Sequence, residues 1–133
     1  MAALLMLFMC ACGAENTPEQ NTILYPDAAT EAVSLGNGSK HLDFTAVDAN
    51  GTEYQFHIHT DKTYVGEALE ELGLIEGTEG DFGLYVNKVN GIYAEYETTG
   101  TYWAFYVDGT YAMAGIDMTE ITEGTAYSMK IEQ

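Results

Sequence analysis

The chain has 133 residues, room for one domain, and 47% of them are hydrophobic, so composition places it among folding chains rather than disordered ones. Four Lys and Arg stand against 21 Asp and Glu, a formal net charge of −17. A surface that acidic repels phosphate backbones and anionic headgroups, which argues against nucleic-acid binding and electrostatic membrane docking and leaves cations and basic partners.

Residues 1–12, MAALLMLFMCAC, are almost wholly apolar. A spanning helix needs about 20 such residues, so this run is too short to cross a bilayer but suits the apolar core of an export signal. Met9-Cys10-Ala11-Cys12-Gly13 resembles a bacterial lipobox, with Ala11 at the small site before the lipidated cysteine. The polar run starts immediately after Cys12, which favours a lipoprotein over an ordinary secretion signal cut near Ala14. The expectation is an exported protein anchored through Cys12 to the outer face of the bacterial cell membrane. Cys10 and Cys12 are the two cysteines, so the rest of the chain holds no disulfide framework, Cys-type zinc site or cysteine nucleophile.

Residues 13–39 lack periodicity and read as a flexible tether, with a weak helix over 28–35 as a variant. The folded domain is expected over 40–133. His41–Val47 alternates, with Leu42, Phe44 and Ala46 on one face, and Asp48-Ala49-Asn50-Gly51 turns. Glu53–Thr60 alternates again with Tyr54, Phe56 and Ile58 inward, which makes a hairpin. A helix follows, with Thr63 expected as N-cap and Val65, Ala68, Leu69 and Leu72 as its apolar stripe. Gly73 ends it, and Gly77–Gly83 reads as a glycine- and acid-rich loop. Leu84–Val89 is a strand closing at Asn90-Gly91, and Ile92–Tyr96 returns.

Gly100–Ile116 is the most aromatic stretch. Residues 102–107 read as a strand stopped by Asp108-Gly109, with Trp103, Phe105 and Val107 on one face and Tyr102, Ala104 and Tyr106 on the other. Aromatic rings on both faces need cover on both, one from the core and the other from more protein or a ligand. Val89–Ala94 and Val107–Ala112 echo each other, which predicts equivalent places for Tyr93 and Tyr111 after two tight turns. Met113–Gly124 is mostly loop, and Thr125–Ile131 is the last strand. Hairpin, one helix and further strands predict an α+β fold, a β-grasp-like mixed sheet packed on one helix.

Tyr64-Val65-Gly66-Glu67-Ala68-Leu69, Gly83-Leu84-Tyr85-Val86, Val89-Asn90-Gly91-Ile92, Tyr102–Gly109 and Ala114-Gly115-Ile116-Asp117, in that order, resemble the transcobalamin C-terminal-like domain, the bacterial DUF4430 group. The resemblance spans roughly residues 42–132. It implies a β-grasp-like fold and kinship with the vitamin B12 carriers, where such a domain closes over the corrinoid from one side and a helical barrel covers the other. Bacterial members of the group are typically exported lipoproteins or modules of surface proteins.

Three sets of residues offer chemistry. Tyr93, Tyr96, Tyr102, Trp103, Tyr106 and Tyr111 present flat surface with polar tips, suited to a corrinoid, sugar or peptide face; core filling is the competing role, above all for Trp103. His57 and His59 share one strand face and could hold a transition metal with help from Glu53 or Asp61, or a His could serve as the lower cobalt ligand of a corrinoid; two solvated histidines on an edge strand is the plainer reading. Asp108, Asp117, Glu120 and Glu123 read as solvated acidic turns rather than a calcium loop. No serine sits in a nucleophile elbow, no carboxylate pair stands out, and Gly77–Gly83 leads into a strand rather than a helix. The expected function is therefore a lipid-anchored, extracytoplasmic binding module and not an enzyme, capturing a small molecule such as a corrinoid and carrying no certain cofactor. The alternatives are a cell-surface protein or glycan interaction module, or metal binding through His57 and His59.

Overall fold

The computed structural model describes residues 22–133; the expected export signal, the expected lipidation site Cys12 and the first part of the expected tether lie outside the described residues. Strands β2 (Lys40–Val47) and β3 (Glu53–Thr60) form the expected hairpin, in register from Lys40 opposite Thr60 to Val47 opposite Glu53. Alternation decides their faces: Leu42, Phe44, Ala46, Tyr54, Phe56 and Ile58 are buried, and the residues between them look outward. Each large apolar side chain sealed this way contributes about 1.5–3 kcal/mol.

The described part of the segment expected to be a tether, residues 22–39, carries structure. Pro26–Ala29 is a short 3-10 turn, and β1 (Val33–Gly36) pairs in parallel with β3. Leu24 N donates to Asn90 O at 3.1 Å, Tyr25 N donates to Asn90 Oδ1 at 3.0 Å, and the Tyr25 ring meets Phe56 edge-on at 5.8 Å. Gly91 is needed for this clasp, because a Cβ there would lie 1.9 Å from Thr22 O. The signal was faint in the sequence because only Tyr25, Ala28, Val33 and Leu35 reach the core while most of their neighbours are solvated.

Helix α1 (Val65–Glu71) starts one residue later than Thr63 predicts, with Tyr64 as N-cap and the Glu67 carboxylate accepting from Tyr64 N at 3.3 Å. Val65, Ala68 and Leu69 are buried and Leu72 closes the stripe at the C-cap. Gly66 faces the turn at Ile116–Met118, where a Cβ would lie 2.8 Å from Asp117 Cα, so glycine sets the close approach of helix and turn. Gly73 follows at φ 72°, the left-handed conformation that ends a helix.

The loop expected over Gly77–Gly83 is instead mostly strand: β4 (Ile75–Gly80) pairs antiparallel with β5 (Gly83–Val89). Its residues after Ile75 are all exposed, so no hydrophobic alternation betrays it; backbone pairing holds it. The return after Asn90-Gly91 is shorter than expected, β6 covering Ile92–Tyr93 before the single-turn helix α2 (Tyr96–Thr99). Asn90 and Asp108 adopt φ 53° and 50° and each precedes a glycine at 82°, so both tight turns form as the dipeptides require.

Strand β7 (Tyr102–Val107) buries Trp103 and Phe105 and leaves Tyr102 and Tyr106 half-buried on the opposite face. It pairs with β8 (Thr110–Tyr111) and with β9 (Ala126–Glu132). The architecture is mixed α+β, with the sheet divided in two: a six-stranded mixed sheet in the order β1-β3-β2-β9-β7-β8 and a three-stranded antiparallel sheet β4-β5-β6. The parallel pair β2–β9 joins the N-terminal hairpin to the aromatic strand. One continuous core lies against the inner face of the large sheet, α1 and the small sheet.

Candidate functional site

The hairpin register builds a two-by-two array on the outer face of the large sheet. His41 stands opposite His59, and Asp43 stands opposite His57. His57 Nδ1–H donates to Asp43 Oδ1 at 2.7 Å, and His41 Nε2 lies 3.6 Å from the same oxygen. Ligand atoms of His41, Asp43 and His57 all fall within 4.8 Å of one another. The His41 ring centre is 5.7 Å from that of His57 and 5.0 Å from that of His59. The four donors stand on the backbone ladder of two adjacent eight-residue strands. β3 is moreover not an edge, because β1 covers its other side, and there Ser34 and Gly36 stand beside His57 and His59 without bulk.

His57 and His59 therefore share a face as their spacing implies, and their companions are His41 and Asp43. Asp61 is engaged elsewhere: its carboxylate accepts from Ser39 N at 2.9 Å and from Ser39 Oγ at 3.1 Å, which holds it below the usual carboxylate range. Glu53 pairs with Val47 at the far end of the hairpin. The missing partners were within reach of the sequence, since counting the ladder outward from Val47 opposite Glu53, across the connection 48–52, sets His41 against His59. Glu123 adds a carboxylate beside the array, accepting from His41 N at 3.2 Å.

A second feature is a cleft of about 300 Å³ between β5, β7 and the segment 111–116. Of the aromatic residues singled out, Tyr102, Trp103 and Tyr111 line it, together with Tyr85 and Met113. Trp103 is anchored in the core, its Nε1 donating to Ile92 O at 3.0 Å. Tyr106 stands beside the cleft, edge-on to Tyr111 at 5.7 Å, with Lys130 Nζ 5.0 Å above its ring. Its hydroxyl donates to Glu132, a hydrogen bond that pushes the phenol up to about 12. Tyr93 occupies the register position equivalent to Tyr111 but lines a separate hollow with Ile23 and Ile131 and hydrogen-bonds Glu95. Tyr96 is exposed on α2, outside the cleft.

A crystal structure of a protein from Ruminococcus gnavus ATCC 29149, named there as a candidate metal-binding protein, superposes with a TM-score of 0.67 at 27% identity, covering 71% of this chain and 98% of that one. Haptocorrin in complex with Cbi superposes with a TM-score of 0.50 at 14% identity over 74% of this chain, which spans 27% of haptocorrin; that likeness is one of fold. Among curated proteins no relative matches. Residues 62–132, over half of the chain, match the family described as Domain of unknown function (DUF4430), and the chain belongs to that family.

Proposed function

We propose that the chain is a binding module on a β-grasp-like scaffold whose ligand is a metal ion, held by His41, Asp43 and His57. The observation that carries this reading is the convergence of two imidazoles and a carboxylate on one point of a rigid ladder. The Ruminococcus gnavus relative, matched over nearly its whole length and named for metal binding, supports it. An entering ion takes the place of the proton between His57 Nδ1 and Asp43 Oδ1, so little side-chain reorganisation is required. No nucleophile and base are paired in the array, which favours binding over catalysis. The apolar N-terminal run and Cys12 would anchor the module outside the cell by a lipid; no helix of the described residues is long and apolar enough to cross a membrane.

The test is thermal unfolding with and without divalent ions. An ion at about 100 times its dissociation constant adds roughly 2.7 kcal/mol, which moves the midpoint by several degrees in a domain this small. The shift is expected in the parent chain and lost in His57→Ala and Asp43→Asn. A shift that survives both substitutions contradicts the assignment.

The aromatic cleft supports a second reading, capture of a small flat molecule, with a corrinoid as the named candidate. Tyr111 is 55% exposed at the cleft, so its ring is available to a ligand. Tyr111→Ala is expected to weaken binding of such a ligand while moving stability by no more than about 0.5 kcal/mol. A marked loss of stability instead assigns the ring to packing.

A further inference from the structure

We infer that the array selects a borderline transition-metal dication, of the zinc, nickel or cobalt kind, over calcium or magnesium, and that His59 is its fourth ligand. The inference rests on the metal reading above and names the ion class and the complete donor set. Calcium takes six to eight oxygen ligands and magnesium an octahedron of them, whereas imidazole suits zinc, copper, iron and nickel. The strand register sets one carboxylate and three imidazoles on one face, and the ligand atoms of His41, Asp43 and His57 already converge there while His59 stands beside them.

His59 enters through geometry. Two imidazoles bonded through nitrogen to one ion at about 2.0–2.1 Å hold their ring centres about 5 Å apart. His41 lies 5.0 Å from His59 and 5.7 Å from His57. The His41 ring therefore stands at the spacing of a shared ion from His59, its direct partner in the ladder, with His57 on the neighbouring rung beside Asp43. Three donors leave a dication open to water; a half-buried His59 turning onto it closes a four-coordinate site. Gly36 stands opposite His59, and glycine is required there, because a Cβ at Gly36 would lie 2.2 Å from His59 O.

Calorimetric titration of the full chain with Zn²⁺ and with Ca²⁺, and the visible spectrum of the Co²⁺ form, test both parts. Zn²⁺ is expected to bind one equivalent and Ca²⁺ not to compete. His59→Ala and the bulk-preserving His59→Gln are each expected to lower Zn²⁺ affinity at least about 10–100-fold, the loss typical even of an outer-shell partner. They should also shift the Co²⁺ spectrum from four-coordinate toward higher coordination, with the metal-free melting curve unchanged. Undiminished Zn²⁺ affinity and an unaltered Co²⁺ spectrum in both variants overturn the role of His59 while leaving metal binding intact. Preferential Ca²⁺ binding overturns the ion class. Absence of any divalent binding by the parent chain overturns the proposed function itself.

Discussion

Asp43 accepts one imidazole N–H directly and lies near a second, so a single carboxylate organises the array. The same economy appears at Tyr106, whose hydroxyl is held by Glu132 and whose ring carries Lys130. The neutral phenol donates that hydrogen bond, so its folded ionisation, about 12, lies above the ordinary value near 10. A group raised in the fold stabilises fully below its unfolded value and loses that contribution as pH climbs through the folded one. The Tyr106–Glu132 contribution is thus present below pH 10 and fades toward pH 12. Glu132→Gln is expected to return Tyr106 ionisation toward its ordinary range in a spectrophotometric titration; an unchanged titration would mean that Glu132 is not the cause. At this scale the sequence was partly legible. Spacing placed His57 and His59 on one face and separated Trp103 from Tyr102, but Glu132 and Tyr106 meet only because β7 and β9 pair, which no local pattern announces.

Elements were legible where burial imposed a period. β2, β3 and α1 each bury one face and declared themselves by alternation or by a stripe, and β7 declared itself by an unbroken apolar run stopped at Asp108-Gly109. β4 hid because its side chains after Ile75 are solvated and because Gly77 interrupts it, at a register shift between Glu76 and Gly77. That glycine is structural: a Cβ there would lie 2.2 Å from Tyr85 O. Gly77→Ala must push the two backbones apart, at a cost of about 1–3 kcal/mol typical of forced overpacking. Denaturant unfolding should show the loss with an unchanged slope, since the surface exposed on unfolding is the same. A neutral substitution would show that β4 is not held against β5 at this point. β1 hid for a related reason. It is a four-residue edge strand that relies on parallel pairing with β3 and on the clasp of Tyr25 by Asn90.

Over the whole molecule, a net charge of −17 raises the concentration of cations near every surface, but diffuse attraction selects no ion. Selection needs donors of fixed type and spacing, and these arise where β2 and β3 bring His41, Asp43 and His57 together. The long-range pairings β1–β3 and β2–β9 complete the platform on either side of that hairpin. They are the part of the fold least legible in the sequence, because strands far apart in the chain carry no record of which neighbour they choose. The family match and the shared fold with haptocorrin belong to that architecture, while the proposed metal chemistry resides in the array grafted on it. A crystal of the full chain grown with Zn²⁺, with anomalous diffraction collected at the zinc edge, tests the central claim directly. The account predicts one dominant peak on the outer face of the sheet, about 2 Å from donor atoms of His41, Asp43 and His57. A dominant peak among the acidic turns at 108–123, with none at the array, would contradict it.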